Sequence, residues 1–113
     1  MNSKDLLKRI TQAANDLKAL ELVEVDLIEK STIADYLVIC HGTSITHLKG
    51  ISDRIEMDLK KNNILPLGIE GREGGEWILM DYNDVIVHLF LEEVRRQYQL
   101  EDLYQGIDKE REE

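Results

Sequence analysis

Leu6, Leu7, Ile10, Ala13, Ala14 and Leu17 recur at the spacing of an amphipathic helix, with Ser3 or Asn2 placed to cap its start. From Leu22 to Ile28 the period falls to two, because Val23, Val25 and Leu27 alternate with Glu24, Asp26 and Ile28. That pattern predicts a half-exposed strand. Ala34 to Cys40 is almost wholly apolar and rich in β-formers, which predicts a strand covered on both faces. It ends at His41-Gly42, after which Thr43 or Ser44 can cap a second helix whose buried face is Leu48, Ile51, Ile55 and Leu59. Asn62-Asn63 closes that helix. Ile64 to Glu70 then reads as a short strand, confined to an edge or irregular because Pro66 has no N–H to give.

Gly71 to Glu76 is a turn, and Trp77–Tyr82 and Val85–Leu91 are strands around a two-residue loop, Asn83-Asp84. A last helix runs over about Glu92 to Tyr104, carrying Val94, Tyr98 and the Leu100/Leu103 pair. The order is α-β-β-α-β-β-β-α, which predicts an α/β (α+β) fold with helices on a mixed sheet. One domain spans residues 1–104; the charged tail Gln105–Glu113 is expected to be disordered.

The hairpin permits a sharper deduction. A two-residue loop pairs Tyr82 with Val85, Met80 with Val87 and Ile78 with Leu89, an apolar face that should be core. The other face then pairs Asp81 with Ile86, Leu79 with His88 and Trp77 with Phe90. It is large and aromatic, interrupted by an acid and an imidazole. Two arrangements fit such a face: a helix covers it, or it recognises a partner.

Charge narrows the partners. Lys and Arg number 14 against 23 Asp and Glu, a net charge of −9, so nucleic acid and anionic lipid repel the chain and a basic protein surface attracts it. No apolar run is long enough to span a membrane, and Met1 to Lys8 shows no secretory signal. A single cysteine, Cys40, allows no internal disulfide and suits a reducing cytoplasm.

Candidate chemistry is sparse. Cys40, His41, His47 and His88 lack the spacing of a metal site, and Cys40 lies in an apolar run that predicts an inert thiol. Gly42-Thr43-Ser44, between a strand and a helix, could meet an anion, but the phosphate-loop pattern is absent and a turn with an N-cap explains it. A nucleotidyl-transferring site would need two alternating carboxylates on the next strand, and Leu65 to Glu70 has only the terminal Glu70.

Taken in order, Ala34-Asp35-Tyr36, Gly42-Thr43-Ser44, His47, Glu70-Gly71, the run Trp77 to Phe90, and then Arg95, Tyr98 and Leu100-Glu101 closely resemble the Iojap family. Its bacterial members are ribosomal silencing factors. The departures are Leu37 for an aromatic, His41 for a small residue, Asn83 for glycine and Tyr104 for tryptophan. The resemblance covers about Leu6 to Tyr104 and implies a nucleotidyltransferase-like scaffold without the active site, no cofactor and no catalysis. It implies binding to the large ribosomal subunit through ribosomal protein uL-fourteen. Subunit joining would then be blocked and translation lowered when nutrients are scarce.

On that reading the contact residues are Glu70, Gly71, Trp77, Asp81, Asp84, His88, Phe90 and Tyr98: aromatic anchors with an acidic rim. The opposing arrangement has the last helix, through Tyr98 and Leu103, cover the face and make Trp77 core. Two other functions compete, a divergent nucleotidyltransferase using Gly42-Thr43-Ser44 and a homodimer formed through the mixed hairpin face.

Overall fold

The computed structural model describes residues 1–98. Helix α1 (Ser3–Asp16) is capped by Asn2, whose Oδ1 accepts from the Asp5 N–H at 2.8 Å. Its apolar stripe is buried as the spacing predicts. Helix α2 (Ile45–Lys60) is capped by Ser44, whose Oγ accepts from the His47 N–H at 3.0 Å, and Leu48, Ile51, Ile55 and Leu59 are all buried.

Five strands among the described residues form one mixed sheet: β1 (Leu20–Asp26), β2 (Tyr36–Gly42), β3 (Gly68–Glu70), β4 (Trp77–Asp81) and β5 (Val85–Leu91). Their spatial order is β1-β2-β5-β4-β3; β2 and β5 run parallel and every other neighbouring pair is antiparallel. Helix α3 (Glu92–Tyr98) follows β5 directly. The rest of the expected helix to Tyr104, with Leu100 and Leu103, and the tail Gln105–Glu113 lie outside the described residues.

Four strands differ from expectation at their ends. Strand β4 stops at Asp81, one residue before Tyr82, and β2 begins at Tyr36 rather than Ala34, where the Asp35 and Tyr36 N–H groups turn to the Asp84 carbonyl. Strand β1 lies two residues early: a register shift between Leu20 and Val23, with Glu21 at positive φ, accommodates its start. Its end is set by Asp26, whose Oδ1 accepts from the Ile28 N–H at 2.9 Å and turns the chain. Strand β2 runs on through His41 and Gly42, because Phe90 and Leu91 of β5 continue the parallel ladder beside them. Strand β3 is only three residues long at the sheet edge, where Leu67 N–H still reaches the Asp81 carbonyl at 2.7 Å.

The hairpin register is the expected one at every pair, from Trp77↔Phe90 to Asp81↔Ile86, and Tyr82 N–H closes on the Val85 carbonyl at 3.0 Å. Ile78, Met80, Tyr82, Val85, Val87 and Leu89 join the stripes of α1 and α2 in one core beneath the helices. Opposite it, Val25, Leu27, Leu37, Ile39 and Phe90 form a second, smaller cluster. Strand β2, inside the sheet between β1 and β5, is buried on both faces, as its composition predicts.

Candidate face on the open side of the sheet

Helices α1 and α2 cover one side of the sheet, and on the other the described chain supplies α3 at one end and Leu27 of the β1–β2 connection. Here the strands present Glu70, then Trp77, Leu79 and Asp81, then Ile86, His88 and Phe90 in register. Burial grades across this face. Phe90 and His88, on the central strand β5, are buried, Trp77, Leu79 and Asp81 are half-buried, and Glu70 at the edge is exposed. A surface cavity of about 310 Å³ opens among Glu70, Gly71, Trp77 and Leu79.

The covering helix expected for this face is there in part. Tyr98 of α3 packs on the Trp77 indole with ring centroids 4.8 Å apart, and Phe90 lies at 4.9 Å from it. Tyr98 itself remains exposed. The helix therefore props Trp77 without burying it. Arg95 anchors α3 from the same side, donating from Nη1 to His41 Nδ1 at 2.9 Å.

Trp77 is held from a third direction. Its Nε1–H donates to His88 Nδ1 at 3.1 Å. Burial drives the His88 pKa down from 6.5 to about 4, so the neutral ring with its Nδ1 lone pair is the state at neutral pH. Phe90 stacks beside the imidazole, with the planes 6° apart.

Gly71 shapes the cavity through its backbone. Its φ is +83°, and a Cβ there would collide with the Trp77 carbonyl oxygen. The turn after it is held down by Arg72, which reaches across to α2 and donates to Ser52 Oγ and Glu56 Oε1, both at 2.9 Å.

The expected contact residues thus separate into three groups. Glu70, Gly71 and Trp77 line one cavity, with Tyr98 beside Trp77. His88 and Phe90 stand behind Trp77 as supports; Phe90 is fully buried and presents no surface. Asp81 and Asp84 lie at the hairpin's far end, where the Asp81 carboxylate accepts from the Asn83 N–H at 2.8 Å and so closes the loop. Leu79 was absent from the expected set although it lines the cavity. Its alternation with Ile78 and Met80 already put it on this face.

The Gly42-Thr43-Ser44 turn is occupied by the chain itself. Thr43 N–H donates to His47 Nδ1 at 3.0 Å, and Ser44 Oγ is the helix cap. Cys40 is buried and its pKa is pushed up to about 12, which makes it an inert thiol. Among the described residues no three His, Cys, Asp or Glu side chains form a group that could hold a metal, and no helix is long and apolar enough to cross a membrane.

Comparison with known proteins gives the family. Residues 1–113 match the family described as ribosomal silencing factor during starvation, RsfS. The chain is 36% identical over 104 residues to the ribosomal silencing factor RsfS of Bacillus subtilis, covering 92% of this chain and 88% of that protein. A crystal structure of a Chromobacterium violaceum protein superposes with a TM-score of 0.90 at 30% identity, covering 93% of this chain and 88% of the other. A more distant relative is the mouse mitochondrial assembly of ribosomal large subunit protein 1. It is 28% identical over 88% of this chain, which spans 44% of that longer protein. With the family match extending over the whole chain and the solved fold shared, this chain belongs to the ribosomal silencing factor family.

Proposed function

We propose that this chain represses translation by docking on the large ribosomal subunit and blocking its union with the small one. The open sheet face supports this best: an aromatic anchor, Trp77, flanks a cavity beside an exposed acid, Glu70, at the rim. Interfaces draw their energy from such half-buried aromatics, while rim charges steer and orient.

The charge distribution suits a basic ribosomal protein, uL-fourteen, as the point of contact. Acidic and basic residues nearly balance across α1 and α2, whereas acids outnumber bases two to one over the strands, α3 and the connecting segments up to Tyr98. A positive protein surface is therefore attracted to the sheet side, while phosphate backbones are repelled. The mouse relative, whose name ties it to assembly of the ribosomal large subunit, agrees with the choice of subunit.

Occlusion needs no reaction, so the proposed action, in the cytoplasm, is stoichiometric and independent of nucleotide, metal or cofactor. The enzymatic alternative through Gly42-Thr43-Ser44 gains no support from a turn whose Thr43 N–H and Ser44 Oγ are already engaged. The test is light scattering of purified subunits mixed with increasing amounts of the protein. The joined fraction should fall towards zero near one protein per large subunit, without added nucleotide. Unchanged joining at several-fold excess would overturn the proposal, and nucleotide turnover would favour the enzymatic reading.

A further inference from the structure

Trp77 is the sole tryptophan of the chain, and its indole is bounded by Phe90, Tyr98 and a hydrogen bond to His88. The indole Nε1 can only donate, so His88 must leave Nδ1 unprotonated and carry its proton on Nε2. Once both ring nitrogens are protonated, an imidazole N–H would face the indole N–H and the bond could not exist. A buried imidazole is also an expensive way to fill space, since an aliphatic side chain would pack there without desolvating polar atoms. Its acceptor is what distinguishes it.

We propose that His88 is a proton-operated positioning residue: neutral, it holds Trp77 in the orientation that forms the Glu70–Gly71–Leu79 cavity, and protonated, it releases the indole and spoils the surface for its partner. The proposal rests on the reading of this face as the docking surface.

The surroundings leave His88 free to act in this way. From β2, Ile39 is its register partner and His41 follows on the same face, engaged by Arg95 of α3. From β4, Leu79 is its partner, with Trp77 on one side and Asp81 on the other; the Asp81 carboxylate is taken by the Asn83 N–H. Glu70 of β3 lies beyond Leu79, and Tyr98 of α3 rests on the far side of the indole. Burial, rather than any of these charges, sets the His88 pKa at about 4. The latch is therefore closed at neutral pH and opens only on strong acidification.

The test uses the full chain with His88→Gln, whose amide oxygen can accept from Trp77 at every pH, and His88→Leu, which packs but cannot accept. Trp77 emission and the NMR resonance of its indole N–H report the latch directly, with far-UV circular dichroism following the fold. Wild-type emission should change on acidification with a midpoint near 4. His88→Gln should lack that change, and His88→Leu should show a displaced indole N–H resonance already at neutral pH. Binding to purified large subunits at neutral pH should weaken roughly three- to tenfold in His88→Leu, the worth of one hydrogen bond, and recover most of that loss in His88→Gln. A wild-type indole resonance and wild-type affinity in His88→Leu would overturn the proposal, as would an acid transition that survives in His88→Gln while the fold persists. If the wild-type protein binds no large subunits, the docking reading falls, and the indole resonance alone decides whether His88 positions Trp77.

Discussion

His47 and Leu17 stand 30 residues apart in the chain, yet the His47 Nε2–H donates to the Leu17 carbonyl oxygen at 2.6 Å. The other ring nitrogen, Nδ1, accepts from the Thr43 N–H at 3.0 Å, so the tautomer follows from the two partners. One imidazole thus ties the end of α1 to the turn between β2 and α2, and it takes up the backbone donor that an anion would need there.

Removing that imidazole leaves both backbone groups without their partner. His47→Ala should lower the unfolding free energy by about 1–2 kcal/mol, measured by urea denaturation. Large-subunit binding by the folded protein should stay at the wild-type level, because the turn lies at the start of α2 rather than on the open sheet face.

Gly71 is expected to tolerate no side chain. Its positive φ already disfavours alanine, and a Cβ would meet the Trp77 carbonyl, which belongs to backbone and cannot step aside. Gly71→Ala should destabilise the fold by at least about 2 kcal/mol and shift the emission of Trp77. Stability and emission both at wild-type values would contradict the geometry of the cavity rim.

Glu70 offers the cleanest charge probe. It is exposed at the cavity edge, and reversal there need not disturb the fold. Glu70→Lys should slow association with the large subunit and flatten its dependence on salt. Stopped-flow association at two ionic strengths checks this. Asp81 is a poorer choice than its place at a strand end suggests, because its carboxylate closes the hairpin loop.

Acid stability follows from His88. Its folded pKa, about 4, lies below the ordinary 6.5, so the unfolded chain binds the proton first. The stability this group confers is complete above pH 6.5 and is lost as pH falls through about 4. The full span corresponds to about 3 kcal/mol. Urea denaturation from neutral pH downward should show wild-type stability declining over that window, and His88→Gln should decline less. Parallel curves for the two proteins would assign the acid loss to other groups.

Much of this was written locally in the sequence. Helical spacing found the buried stripes of α1 and α2, and the two-residue loop at Asn83-Asp84 set the hairpin pairing, since turn length and strand period are properties of adjacent residues. Alternation also assigned Trp77, Leu79, His88 and Phe90 to one face. It could not say what else arrives there. Pairing with β2 across more than forty residues buries His88 and Phe90, and α3 returns to prop Trp77 without covering it. The same distance effect moved β2 two residues later, its last residues being held by β5, and a bulge in β1 shifted its start. Periodicity records which way a side chain points. Its cover, and hence whether it recognises a partner or supports the residue that does, is decided by segments far along the chain, because burial is a property of the packed whole.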